Sequence, residues 1–163
     1  MQTYDHILKL RAVRTFALDP IADDDLRLVL EAARWTGSAK NLQAWTVIVV
    51  TDPDQKDRLA ECGDFTGPIR GAPAALALVQ EPEGYEFDTG RIAQNVMLAA
   101  DAIGLATCPI TMHHEERAHE VLDLPVGARC RYAIAIGYPA PSHEPARFGG
   151  RKPFEDLVRR DRY

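Results

Sequence analysis

The sequence predicts a mixed helix-and-strand fold in a single domain covering residues 1–163. Three observations predict it. Four apolar runs, at 45–51, 72–79, 105–111 and 132–136, have the length and composition of buried strands. Between them lie segments whose apolar residues recur at helical spacing. Most changes of pattern are marked by Pro, Gly or Asp. Strands separated by helices usually form a doubly wound parallel sheet. However, neither G-x-G-x-x-G nor G-x-x-x-x-G-K-S/T follows the first strand, so a Rossmann or P-loop nucleotide site is not supported.

Taken in order, Tyr4, Ile7, Leu8 and Val13 have helical spacing, and a first helix is expected to reach Leu10 or Arg11. Arg11 and Arg14 follow, three apart; in a helix or turn they would face one anion, and in any other conformation they are solvated charges. Asp19-Pro20 breaks the chain. Asp23, Asp24 and Asp25 then suit the positive end of a second helix, with Leu26, Val29, Leu30 and Ala33 as its buried stripe. After the first strand, Asp52-Pro53-Asp54 closes the run and residues 55–62 form a third helix with Leu59 inward. Residues 63–71, with three glycines and Pro68, read as loop. The alanine-rich second strand ends at Pro82 and Gly84. Asp88 opens the longest helix, to Ala102, closed by Gly104 at the position where a left-handed residue is favoured. Pro109 implies that the third strand lies at a sheet edge or ends early. Residues 115–122 are helical, the fourth strand closes at Gly137-Tyr138-Pro139, residues 141–150 read as irregular, and Pro153 starts a last short helix through Val158.

One loop stands out. In residues 36–45, Gly37, Ser38 and Ala39 are small enough for a flat ligand to approach the backbone, and Asn41 and Gln43 each offer amide donors and an acceptor. An ordinary polar connection would carry the same residues.

Composition bounds the function. With 46% hydrophobic and 26% charged residues the chain is that of a soluble globular protein, long enough to bury about two-thirds of its unfolded surface. A net charge of −5 and the lack of a basic, aromatic-interleaved patch argue against nucleic acid as a partner. Cys62, Cys108 and Cys130 are widely spaced, without CxxC, which suits reduced thiols in the cytoplasm. No apolar run approaches the ~20 residues that span a membrane, and residues 1–10 lack a signal-peptide core. His113, His114 and His119 invite a metal reading, but His114 and His119 stand five apart, about 140° around a helix, and Glu115 and His119 read instead as a surface pair. No metal site is expected. Cys108 reads as a small buried hydrophobe, and Ser38 has no hydrolase context.

Four separated segments match one pattern in order. Leu10-Arg11-Ala12-Val13-Arg14-Thr15-Phe16 resembles R-R-S-V-R-x-F, and Gly37-Ser38-Ala39-Lys40-Asn41-Leu42-Gln43-Ala44-Trp45 resembles P-S-A-x-N-x-Q-P-W. Asp88-Thr89-Gly90 through Ala100 and on to Gly104-Leu105 resembles a long central helix, and Ala135-Ile136-Gly137-Tyr138-Pro139 with Arg151-Lys152-Pro153-Phe154-Glu155-Asp156 resembles the closing segments. Together they resemble the nitroreductase family of FMN-dependent oxidoreductases. The resemblance implies an α+β fold in place of the parallel sheet: a mainly antiparallel mixed sheet flanked by helices, in an intertwined homodimer with FMN at the interface. It implies an enzyme that passes a hydride from NADH or NADPH through flavin N5 to a nitroaromatic, quinone or similar small acceptor. The alternatives it leaves are an FMN-binding or sensing module with little turnover, or another flavin reaction such as dehalogenation or flavin fragmentation.

By the same resemblance, Arg11 and Arg14 approach the FMN phosphate or ribityl chain with Ala12 beside them, a role that suits arginine's planar fork. Ser38, Asn41 and Gln43 line the flavin from the partner chain. Pro109, Ile110 and Thr111, with Met112, back the isoalloxazine ring, the Thr111 N–H facing N5, and Arg151 reaches the phosphate. No catalytic side chain is implied. Leu10 stands where the family has arginine, Ala12 where it has serine and Ala44 where it has proline, so weaker FMN binding is expected.

Overall fold

The computed structural model describes residues 2–144 and 150–163. Of the irregular stretch expected at 141–150, residues 145–149 lie outside the described residues. The chain runs α1 (Gln2–Lys9), α2 (Asp23–Arg34), a 3₁₀ turn (Ala39–Asn41), β1 (Trp45–Val50), α3 (Pro53–Ala60), α4 (Gly67–Gly71) and β2 (Ala74–Gln80). It continues through α5 (Glu86–Ala102), β3 (Ala106–Thr111), α6 (Glu115–Val121), β4 (Arg129–Gly137) and α7 (Phe154–Leu157).

Three of the differences from expectation have a clear local reason. Helix α3 starts two residues early, because Asp52 and Pro53 initiate it: the Asp52 carboxylate accepts the Gln55 N–H at 2.8 Å and proline's fixed φ suits the first turn. Helix α4 occupies part of the stretch expected as loop. It opens at Gly67-Pro68, with Pro68 in the first turn. Strand β4 starts at Arg129 instead of Tyr132, because Arg129 and Arg131 are held by Glu86 and Glu115 rather than repelled from the sheet; the Arg131–Glu115 bond is 2.6 Å.

The sheet order is β1-β2-β4-β3 and all three pairings are antiparallel. The parallel sheet suggested by alternation does not form. Between β1 and β2 the chain makes two short helices packed on each other, α3 and α4, which return it to the end of the sheet it left. A parallel pair would need one crossover along the strand.

Both central strands are covered on both faces, which is why they read as continuous apolar runs. Along β2, Ala74, Leu76 and Leu78 face α2 and α5, while Ala75, Ala77 and Val79 face the layer built from α3, α4 and α6. Strand β4 repeats this with Ile134 and Ile136 against Ala133 and Ala135. Large residues therefore fill one face, and alanines let the second layer sit close on the other. No helix among the described residues is long and apolar enough to cross a membrane.

Cys130 lies fully buried in that second layer beside Cys62, and burial pushes its thiol up to about 12. An unfolded chain would lose this proton near pH 9, so the fold loses stability as pH rises from there towards 12. Stability from urea unfolding is expected to fall by about 1 kcal/mol between pH 8 and pH 10 on this account, and by less in Cys130→Ala. An equal fall in the variant would assign the effect elsewhere.

Candidate active site

Edge strand β3 sets the site. The Met112 N–H donates to the Arg131 carbonyl at 2.8 Å, so by parity Ile110 and Cys108 also turn their backbone groups towards β4. The intervening residues, Thr107, Pro109 and Thr111, point theirs away from the sheet. Thr107 uses its outward carbonyl to accept the Val13 N–H at 2.9 Å. Pro109 has no N–H to leave unpaired, which is why proline is tolerated here. Thr111 keeps an outward N–H with no strand partner.

Thr111 borders a cavity of about 440 Å³. Arg14 lines it from the N-terminal segment, Cys108 to Thr111 from β3, Phe65, Gly67 and Pro68 from the start of α4, and His113 from beyond the strand end. The N-terminal segment is held beside β3 and β4 by three further backbone bonds or pairings: Ala17 N–H to the Tyr138 carbonyl at 2.9 Å, Ala140 N–H to the Thr15 carbonyl at 3.1 Å, and the Phe16–Pro139 bridge. Arg14 is exposed and is the cavity's arginine. Its charge reaches Cys108, whose thiol burial pushes up while Arg14 pulls it down. Cys108 itself is 4% exposed, a buried small side chain as the sequence suggests.

Residues 10–15 are neither helix nor turn, so Arg11 and Arg14 do not share one anion-facing surface within the protomer. Arg11 donates through Nη1 to the carbonyls of Leu8 at 2.8 Å and Leu10 at 2.7 Å, closing the C-terminus of α1, and borders a separate cavity of about 250 Å³ with Leu10, Thr107 and His143. Ala12 is half-buried against the alanine-rich core layer.

The loop at 36–45 is tightly built but stands apart from this cavity in the protomer. Buried Thr36 accepts a 2.8 Å bond from the Asn95 side chain on α5, and Arg91 donates to the Gly37 carbonyl at 2.5 Å. The space beside Gly37 is taken by Arg91: a Cβ there would meet its guanidinium at 3.1 Å. Ser38 Oγ accepts the Gln43 N–H at 2.9 Å, folding the loop on itself. Lys40, Asn41 and Gln43 have φ of 53°, 55° and 52°, a left-handed conformation unusual for residues with side chains and concentrated at functional sites. Arg151 is exposed and, among the described residues, bonds the adjacent Gly150 carbonyl at 2.7 Å. The chain thus brings Arg14, Pro109, Ile110 and Thr111 together, sets Arg11 on a different cavity, and leaves Ala12, Ser38, Asn41, Gln43 and Arg151 outside the lining.

The histidines do not assemble with the acidic residues around an ion. His113 and His114 stand 3.8 and 3.6 Å from the Asp64 carboxylate, and His119 lies 3.2 Å from the Pro125 carbonyl. Among the described residues no group of three or more His, Cys, Asp or Glu is placed to hold a metal. The expected Glu115–His119 pair does not form, because Glu115 is taken by Arg131 and Arg129.

Phe65, Gly67, Pro68 and His113 were not legible as site residues. The Gly67-Pro68 helix start was the available signal for the first three; His113 offered none beyond its nearness to Thr111. Gly63 locks this wall to β3: a Cβ there would fall 2.6 Å from the Thr111 carbonyl, a backbone atom that cannot swing aside. Gly63→Ala is therefore expected to destabilise the fold by about 1–3 kcal/mol, read as a lowered melting temperature. An unchanged melting temperature would show that the wall is not locked here.

Known proteins place the chain. The model of the family described as "Nitroreductase family" matches residues 7–63 and 66–138. A "NADH dehydrogenase" of Thermus thermophilus is 28% identical over 191 aligned residues, covering 93% of this chain and 92% of its own. An "NADPH-flavin oxidoreductase" of Vibrio harveyi is 25% identical, covering 84% of this chain and 65% of its own. The crystal structure of a protein described as "Putative NADH dehydrogenase/NAD(P)H nitroreductase", from Parabacteroides distasonis, superposes with a TM-score of 0.90 at 22% identity, over 100% of this chain and 99% of its own. The "NADPH:FMN oxidoreductase" of Vibrio harveyi complexed with NAD+ gives a TM-score of 0.90 at 23% identity, over 100% and 78%. At these identities the structures speak for the fold, and the family model spans both core layers and β3: the chain belongs to the nitroreductase family.

Proposed function

We infer that this protein is an FMN-dependent oxidoreductase that takes reducing equivalents from NADH or NADPH and delivers them to nitroaromatic, quinone or similar small acceptors. The observation that carries the reading is the cavity on the open edge of β3, lined by Arg14, Pro109 and Thr111, with the Thr111 N–H turned away from β4. These residues fit FMN chemically: an anion for Arg14, a flat ring for Pro109, and a ring acceptor atom for the Thr111 N–H. Bound there, FMN would supply two-electron hydride-transfer chemistry. Pro109 and Ile110 would border the ring, and the Thr111 N–H would stabilise negative charge on the reduced flavin. Arg14 holds the anionic end, assisted by Arg11 once it leaves the α1 carbonyls. Leu10 and Ala12 add no polar contact, so retention of FMN is weaker than a full set of donors would give.

The other site residues come from a second copy in an intertwined homodimer. The accessible surface is 10619 Å², against about 8,000 Å² expected for a compact monomer of this mass. Residues 150–163 contribute to the excess: all are exposed, with Phe154 71% and Leu157 62% accessible. Ser38, Asn41, Gln43 and Arg151 lie on surfaces that a partner would bring to the cavity.

The test is NADH or NADPH oxidation by the full chain with added FMN and 1,4-benzoquinone or a nitrobenzoate. Turnover that requires FMN and acceptor is expected. Flavin retention without turnover would instead favour a binding or sensing module.

A further inference from the structure

His113 and Phe65 give the cavity a rim that the reading above does not use. His113 sits two residues beyond Thr111, and both line the cavity. Its ring is oriented by its own surroundings: Nδ1 accepts the Asp64 backbone N–H at 3.2 Å, and the Asp64 carboxylate, 3.8 Å away, is too distant to take a hydrogen bond from it. An Nδ1 that accepts a hydrogen bond carries no proton, so the neutral ring carries it on Nε2. Nε2 has no protein partner among the described residues. Phe65 meets the same imidazole edge to face, with ring centroids 6.2 Å apart and planes at 71°, and is 82% exposed at the cavity mouth. The geometry is an oriented N–H donor next to an open aromatic face.

We propose that this pair is the acceptor-recognition element: His113 Nε2–H donates a hydrogen bond to the exocyclic oxygen of a planar aromatic acceptor, and Phe65 covers its ring. The proposal rests on the oxidoreductase reading. In the overall reaction a quinone, NAD(P)H and a proton give the hydroquinone and NAD(P)+. The quinone gains two electrons and one proton as hydride, and the second proton comes from water. His113 loses no proton; it stabilises the negative charge that develops on oxygen. The pair therefore selects acceptors that carry a hydrogen-bond-accepting oxygen on a flat ring, over acceptors that take electrons without being held.

The experiment compares 1,4-benzoquinone with ferricyanide, which presents no carbonyl oxygen to the donor, using FMN-loaded wild type, His113→Phe and His113→Gln. His113→Phe keeps a ring without the donor; His113→Gln keeps an N–H at a similar reach. The ratio of kcat/KM for benzoquinone over ferricyanide is expected to fall about ten- to a hundredfold in His113→Phe and to stay within about threefold of wild type in His113→Gln. A second readout needs no turnover: titration with acetophenone, an unreactive aromatic ketone, should shift the His113 Nε2 nitrogen NMR resonance, read through the ring C–H protons. An unchanged ratio in His113→Phe would overturn the proposal, and so would a loss of FMN retention with the ratio unchanged, which would assign His113 to the cofactor. Should the wild type bind no FMN, the oxidoreductase reading fails by itself and the acetophenone titration decides the role of His113. An unmoved resonance overturns it.

Discussion

Replacing Arg14 by alanine is expected to raise the FMN dissociation constant about ten- to a hundredfold. A hydrogen bond to a charged group is worth roughly 1.5–3 kcal/mol, and each 1.4 kcal/mol is tenfold in affinity. Arg14 is the only cationic side chain lining the cavity among the described residues. Leu10 and Ala12 supply no polar group that could take over. Arg11→Ala is expected to have the smaller effect on affinity, because in the protomer its Nη1 is already engaged by the carbonyls of Leu8 and Leu10. That substitution should cost helix α1 some of its order instead. Arg14→Lys should fall between, keeping charge but losing the planar fork. Quenching of FMN fluorescence on titration with protein measures all three. Equal effects of Arg11→Ala and Arg14→Ala would show that both side chains move to one anion when FMN binds.

The second large effect is expected from the C-terminal tail. Deleting residues 150–163 should convert a dimer to a monomer, release FMN and leave the far-ultraviolet circular dichroism of the core nearly unchanged. Every residue of this segment is exposed, so the protomer loses little of its own packing. Phe154, Leu157 and Val158 are 71%, 62% and 41% accessible, an apolar set that is stable only when covered. Burying three such side chains at about 1.5 kcal/mol or more each amounts to roughly 5 kcal/mol, more than a thousandfold in a dissociation constant. Sedimentation velocity reads the change. A truncated chain that stays dimeric and keeps FMN would remove the tail, and Arg151 with it, from the site.

Element positions were legible wherever one physical pattern dominated. Strands β2 and β4 are apolar at nearly every position because both faces are covered, and α2 and α5 show their acidic starts and buried stripes. Pro109 correctly marked β3 as an edge, since only an outward position of an outer strand tolerates its missing N–H. Strand direction was not legible from alternation. It depends on the end of the sheet at which α3 and α4 return the chain, which is a matter of helix length and packing. Helix α4 was hidden because glycine and proline signal a loop by composition, while Thr66 just before it is buried and bonded to the Ala60 carbonyl.

The proposed site follows the same rule. Arg14 and residues 109–111, named from local motifs, line one cavity. The conjunction of Phe65, Asp64 and His113 was not, because it joins segments about fifty residues apart through the close approach at Gly63. The loop at 38–43 announced itself by amides and small residues, yet its left-handed Lys40, Asn41 and Gln43 could not be read from residue type alone.

The most direct test of the assignment is the visible absorption spectrum of the full chain after excess FMN is added and free flavin removed by desalting. A retained flavin spectrum close to one FMN per chain, bleached anaerobically by NADH or NADPH and restored by benzoquinone, is the expected result. A desalted protein without flavin absorbance, or with flavin that neither nucleotide bleaches, would contradict it.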